Sequence, residues 1–136
     1  MKRYLLLSIL TLGACGHAPL CSSAVIAVAH DPGSDRYAVT ESRDCGATTD
    51  VATVVRVGRA SAPQEDAEEV FVADADHGAA ATGKRGTVRT NVVWTAPGHL
   101  LISRASRARL FKQRAVSNGA TITYRATDPL TLPNVP

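Results

Sequence analysis

Residues 117–125, which read Ser117-Asn118-Gly119-Ala120-Thr121-Ile122-Thr123-Tyr124-Arg125, decide the fold class. The Asn-Gly pair favours a tight two-residue turn, because both residue types tolerate positive φ. The six residues that follow place Ala, Ile and Tyr on one face and Thr, Thr and Arg on the other. This period of two predicts a β-strand that is entered through a hairpin.

The same pattern recurs along the chain. Turn signals are present at Asp31-Pro32-Gly33-Ser34 and at Pro97-Gly98. After residue 14, no sustained apolar stripe at helical spacing is present. Short strands are predicted at 24–29, 36–42, 51–57, 69–73, 87–94, 100–103 and 120–125. The sequence therefore predicts an all-β fold, a small antiparallel meander of about seven short strands that forms a curved sheet, a sandwich or a half-open barrel.

One segment of this fold has two alternative structures. Residues 103–111 could form a helix instead of strand and turn, although Leu110 and Phe111 are its only large apolar residues. The candidate core residues are the large apolar side chains near the middle of predicted strands. They are Val54, Phe71, Val93, Leu101 and Ile122.

The N-terminus has the composition of a secretory leader. Met1-Lys2-Arg3 is basic, residues 4–12 form a short apolar core, and Leu12-Gly13-Ala14-Cys15 ends it with small residues. The last four residues resemble the bacterial lipobox, which implies cleavage before Cys15 and acylation of its sulfur. An apolar core this short is insufficient to span a bilayer, so we expect an anchored chain rather than a spanning one.

This leader sets the predicted organisation of the 136 residues. Residues 1–14 are a lipoprotein signal peptide, 15–22 a lipid-anchored tether, 23–126 one β domain and 127–136 a proline-rich extended tail. Gly16, rather than Asp, follows the acylated cysteine. By resemblance to lipoprotein sorting signals, this favours the outer membrane of a Gram-negative cell, on its periplasmic face.

The remaining cysteines form an even pair in an oxidising compartment. Cys21 and Cys45 are therefore predicted to form one disulfide. Only five residues separate Cys15 from Cys21, which places the domain within roughly 20 Å of the bilayer. The alternative is a reactive Cys45 thiol with His77 or His99 as its base, but Asp44 beside it would raise the pKa of a thiol.

Charge is divided between the two halves of the chain. Residues 31–76 carry a net charge of −7, and residues 84–125 carry +9. The halves either neutralise each other on one sheet, or the basic half faces anionic lipid headgroups or another acidic envelope polymer. The basic candidates are Arg104, Arg107, Arg109, Lys112 and Arg114. Nucleic acid is not an expected partner, because an exported and anchored protein meets little of it.

Few residues form a pattern typical of catalysis. Asp74, Asp76 and His77 precede Gly78 and are weak candidates for metal binding, but they lack the spacing of a calcium loop. No nucleophile elbow, phosphate loop or paired zinc motif is present. We therefore expect no metal and no cofactor.

The seven residues Arg43-Asp44-Cys45-Gly46-Ala47-Thr48-Thr49 resemble the signature of a family of small exported bacterial proteins. The similarity extends over residues 21–125, through the segments 69–78, 93–94, 100–102, 108–112 and 121–124. The resemblance implies a disulfide and a β fold, and it implies no particular activity.

Together these features predict a bacterial envelope lipoprotein. Its β domain would be a non-catalytic binding or structural module close to the membrane, with an envelope protein or an anionic polymer as its partner. The alternative function is that of a periplasmic hydrolase or thiol enzyme that uses Cys45 or the Asp74, Asp76 and His77 group. The sequence assigns neither a specific partner nor an oligomeric state.

Overall fold

The structure is a computed structural model that describes residues 20–128. The predicted signal peptide 1–14, the acylated Cys15 and residues 129–136 of the predicted tail lie outside this range. Of the predicted tether 15–22, residues 20–22 are described, and Ser22 is already the first residue of a strand. No helix among residues 20–128 has the length and apolarity needed to cross a bilayer.

The described chain consists of β-strands, as predicted. They are β1 (Ser22–His30), β2 (Arg36–Asp44), β3 (Ala52–Arg59), β4 (Glu68–Asp74), β5 (Thr90–Ala96), β6 (His99–Ala105), β7 (Arg109–Gln113), β8 (Val116–Ser117) and β9 (Ala120–Thr127). Two single 3₁₀ turns lie at Gln64–Asp66 and Lys84–Gly86. β1 to β6 and β9 correspond to the seven predicted strands, whereas β7 and β8 are additional.

The strands form two sheets. The first has the order β1-β2-β3-β4-β7, and its first four strands are the predicted antiparallel meander. The second has the order β5-β6-β9-β8. Its β6 and β9 are parallel, because after β6 the chain crosses to the first sheet as β7, returns through β8 and re-enters beside β6 in the same direction.

One core lies between the two sheets, so the domain is a sandwich. The first sheet contributes Val55 and Phe71, and the second contributes Leu100, Ile102 and Ile122. All five are at most 3% exposed. Burial of these apolar side chains from both sheets stabilises the face-to-face packing.

Two of the five predicted core residues are wrong. Val93 is 41% exposed and Leu101 is half-buried, because the residues next to them face the core instead. Val92 pairs with Ile102, and Trp94 packs against the core. Both strands contain consecutive apolar residues, so the alternation does not reveal which face is inward. Phe71 and Ile122 are buried in the core, as predicted, whereas Val54 is buried but lies outside the core cluster that contains its neighbour Val55.

The alternative helix at 103–111 is also wrong. Its first residues belong to β6, and its last residues belong to β7, which pairs with β4 through Ala73–Leu110 and Asp74–Arg109. Every residue of β7 is exposed. This segment has no apolar face that a helix could bury, and backbone pairing with β4 satisfies its polar groups instead.

The hairpin predicted from residues 117–125 is present. Ser117 of β8 pairs with Ala120 of β9, and the two turn residues Asn118 and Gly119 have φ of 51° and 75°. Positive φ at both central positions is the geometry that Asn and Gly adopt at low cost.

The buried carboxylate of Asp31 joins its own turn to the Pro97-Gly98 turn and, through Arg36, to this hairpin turn. Asp31 accepts hydrogen bonds from the N–H groups of Gly33 (2.9 Å) and Gly98 (3.0 Å), and from the Ser34 hydroxyl and the Arg36 guanidinium. The same guanidinium and that of Arg59 donate to the carbonyl of Asn118. Burial alone would raise the pKa of Asp31, but these donors outweigh it and lower the pKa from 3.8 to about 2.

The ionisation of Asp31 makes a specific prediction about acid stability. Because folding favours the ionised form, its contribution is complete above about pH 4 and is lost as the pH falls towards 2. We expect Asp31→Asn to flatten the pH dependence of the unfolding midpoint over this window, as measured by circular dichroism. Asp66→Asn, at an exposed position, should leave that dependence unchanged. An equally steep profile in Asp31→Asn would show that other groups cause the acid sensitivity.

Candidate functional site

The candidate site lies at the end of the first sheet where β2 and β4 end and β3 and β7 begin. A surface depression of about 410 Å³ opens there, and we call it the disulfide-end depression. Its lining residues are Arg43, Cys45, Thr48, Thr49, Asp50, Ala52, Asp74, His77, Arg109 and Phe111. Antiparallel pairing brings these segments together, because a strand that ends lies beside one that begins.

The predicted disulfide is present at this end. Cys21, just before β1, is bonded to Cys45, just after β2. Ser22 pairs with Asp44 next to the bond, so the disulfide closes the β1–β2 hairpin opposite its turn. The sulfur of Cys45 is therefore not a free thiol in this structure, which removes the nucleophile that the thiol-enzyme alternative requires.

An ion pair forms one wall of the depression. Both oxygens of Asp74 accept hydrogen bonds from Arg109, one from Nε at 3.1 Å and one from a terminal nitrogen. The Asp74 side chain is only 6% exposed. Burial alone would raise the pKa of Asp74, but the Arg109 guanidinium and the N–H of Asp76 lower it overall. Asp74 also raises the pKa of Arg109, so both groups stay charged.

The Arg109 guanidinium also contacts an aromatic ring. Its central carbon lies 5.3 Å from the centre of the Phe111 ring, within the range of a cation–π contact. Phe111 itself is 59% exposed. Arg109 therefore contacts both the Asp74 carboxylate and an exposed aromatic ring.

The loop after β4 supplies a further wall. Asp76 and His77 have positive φ of 48° and 54°, and Gly78 continues the reversal at 91°. The N–H of His77 donates to Asp50 at 2.5 Å, and its ring Nδ1 lies 3.6 Å from the same carboxylate. Asp50 thereby holds the loop against the segment that follows Cys45.

A charged cluster adjoins the depression on the outer face of the first sheet. Glu69 contacts Arg43, Arg56 (3.2 Å) and Lys112 (3.3 Å). Burial alone would raise the pKa of Glu69, but Arg43 and Lys112 lower it overall. In the part of the chain that the structure describes, no group of three or more His, Cys, Asp and Glu residues is placed to hold a metal ion.

In the structure, the five predicted basic residues fall into two groups. Arg109, Lys112 and Arg114 contact Asp74, Glu69 and Glu68 on the neighbouring strand β4. Arg104 donates to the carbonyls of Ala105 and Ser106, and Arg107 is exposed in the turn between β6 and β7. The acidic and basic halves of the chain therefore meet where β4 pairs with β7.

The structure brings together four candidate residues from three distant segments, namely Cys45, Asp74 with His77, and Arg109. Asp50 and Phe111 were not predicted as site residues. Asp50 directly follows the seven-residue signature, and this position could have indicated it as a site residue. No sequence feature indicated Phe111, because its place in the site depends on the pairing of β7 with β4.

No family model matches the chain, and no match was found among curated proteins or solved structures.

Proposed function

We propose that this protein is a lipoprotein of the bacterial cell envelope whose β domain is a non-catalytic binding or structural module close to the membrane. Its place is the periplasmic face of the outer membrane. The observation that carries the proposal is the leader that ends in Leu12-Gly13-Ala14-Cys15, followed by Gly16. The separate seven-residue signature at 43–49, which resembles that of a family of small exported bacterial proteins, also favours export.

The disulfide supports an extracytoplasmic location. Disulfides persist in the periplasm and are rare in the reducing cytosol, and Cys21 and Cys45 are the two cysteines left after acylation of Cys15. The bond lies six residues after Cys15, so the disulfide-end depression is on the part of the domain that the tether holds near the bilayer.

The chemistry of the depression supports binding rather than catalysis. Asp74 is committed to Arg109, and Asp50 holds the main chain of the loop at His77. The donors around Asp74 keep it ionised, whereas a general acid needs a raised pKa. These groups fix the shape of the depression and present an arginine against an aromatic ring, which suits recognition of a small polar or anionic group.

The anchor is tested by palmitate labelling and by the size of the chain in cells that make Cys15→Ser. Acyl chains contribute roughly 0.8 kcal/mol per buried CH₂, so the acylated chain should stay with the membrane nearly completely. We expect the variant to lose acylation, measured as loss of incorporated labelled palmitate, and to fail to be processed before residue 15. A variant that is processed and labelled like the natural protein would contradict the proposal.

Gly16→Asp is the matched control, because it retains Cys15 and changes only the residue that follows. It should be acylated and membrane-bound, but it should move from the outer to the inner membrane in a Gram-negative host. Unchanged outer-membrane location of Gly16→Asp would overturn the sorting part of the proposal and leave the anchor intact.

A further inference from the structure

The two edge strands of the first sheet differ in charge. β7 carries Arg109 and Lys112, and charged side chains on an edge discourage pairing with other strands. β1 spans the nine residues Ser22–His30 and contains no Asp, Glu, Lys, Arg or Pro. Among the described strands, β1 is therefore a long edge strand that lacks the charged and proline residues that usually prevent another strand from pairing with an edge.

β1 also presents apolar side chains to solvent. Val25 and Val28 are 53% and 50% exposed. Both valines line one shallow depression of about 350 Å³ on the outer face, together with Tyr37 and Val39. Burying half of two valines and the adjacent ring would provide a favourable apolar contribution to association.

Because of a β-bulge, the inward-facing and outward-facing residues of β1 have nearly the same order when the strand is read in either direction. The pairing with β2 shifts register between Val25 and Ala27, so Val25 and Val28 share the outer face although they are three positions apart. Ala24 and Ala29, which flank the valines, are both half-buried on the core side. Read from the centre between Ile26 and Ala27, the sequence Ala-Val-Ile-Ala-Val-Ala therefore has nearly the same residues and the same faces in both directions.

We infer that β1 pairs antiparallel with β1 of a second copy of this chain, about a two-fold axis between Ile26 and Ala27. Residues directly opposite in an antiparallel pair point to the same face, so Val25 of one copy lies against Val28 of the other, twice. Ala24 likewise lies opposite Ala29. The two five-stranded sheets then form one continuous ten-stranded sheet.

The two-fold pattern favours a second copy over an unrelated strand. An isologous interface requires a surface that complements itself, and a strand without charged side chains brings no like charges together when it meets its own copy. The carbonyl of Ala29 already accepts a hydrogen bond from the Trp94 indole at 3.0 Å. This contact ties β1 to the second sheet and holds the strand in place for pairing.

A charge-swap experiment tests both the pairing and its register. The full chain, purified in a mild detergent, should sediment as a dimer. In Val25→Lys/Val28→Lys, two lysine pairs face each other across the interface, and we expect the dimer dissociation constant to rise at least ~10-fold. In Val25→Lys/Val28→Glu, each lysine faces a glutamate of the other copy, and we expect the dissociation constant to stay within ~10-fold of the natural value.

Val116→Lys is the matched control, because Val116 is 61% exposed on β8, a strand of the other sheet. It should sediment like the natural chain. A monomeric natural chain, a dimeric Lys/Lys variant or a monomeric Lys/Glu variant would each overturn the proposal. The thermal unfolding midpoint of each variant reports whether it is folded.

Hydrogen exchange on the unaltered chain provides a measurement that needs no folded variant. The amides of Ser22–His30 should exchange at least ~10-fold more slowly above the association concentration than below it. Equal exchange of these amides at both concentrations would overturn the proposed strand pairing.

Discussion

Phe71→Ala is expected to lower the free energy of unfolding by about 3–5 kcal/mol, the usual cost of truncating a buried phenylalanine. Phe71 is fully buried and is among the largest fully buried side chains of the described chain. Its ring lies 6.0 Å from that of Tyr124, which reaches it from the second sheet. Truncation removes the apolar contact that joins the sheets and leaves a cavity, so the loss should appear as a lower midpoint in equilibrium urea unfolding.

The chain provides its own control for this substitution. Phe111→Ala makes the same chemical change at a 59% exposed position, where only the cation–π contact with Arg109 is lost. We expect a change of about 1 kcal/mol or less. Similar losses for the two variants would contradict the assignment of Phe71 to the core. If Phe71→Ala does not fold, Phe71→Leu should still give a smaller, measurable loss.

Removal of the disulfide by Cys21→Ser/Cys45→Ser is expected to cost about 3–4 kcal/mol. The bond joins residues 24 apart in sequence, and closing a loop of this length restricts the unfolded chain by that amount on the chain-entropy model. Besides the lower free energy of global unfolding, we expect a local loss of stability in β1. β1 contributes no residue to the buried core cluster, so its position depends on β2, the disulfide and the Trp94 hydrogen bond.

Urea unfolding and hydrogen exchange separate these two effects. Amides of Val25 and Val28 should exchange faster in the serine variant than amides of Val55, which lies in the core strand β3. The natural chain treated with reductant should match the serine variant. A loss below about 1 kcal/mol, or equal exchange in β1 and β3, would show that the bond does not hold the edge strand.

Strand content was predictable because it depends on local sequence. β-Branched residues, alternation and the Asn118-Gly119 turn act over a few neighbours, and the structure has a strand at each of the seven predicted places. The inward faces of β5 and β6 were not predictable. Val92 and Val93 are both apolar, and only the second sheet's packing against Phe71 decides that Val92 faces the core.

The candidate site was predictable only in part. Residue type and spacing indicated Asp74, His77 and Cys45 as candidates, and the even number of remaining cysteines indicated the disulfide. Their convergence on Arg109 depends on the pairing of β4 with β7, which local sequence did not indicate. The exposed segment 109–113 lacks an apolar alternation, so nothing in it predicted a strand.

The sequence by itself determined the all-β class, the turns, the disulfide partners and the division of charge, because each depends on near neighbours or on a count of residues. Only the tertiary structure decided that β9 runs parallel to β6, that Asp31 accepts a hydrogen bond from Gly98, and that Arg109 is fixed by Asp74. These contacts join residues distant in sequence, and their free energy is gained only when the chain folds and brings distant strands and turns together.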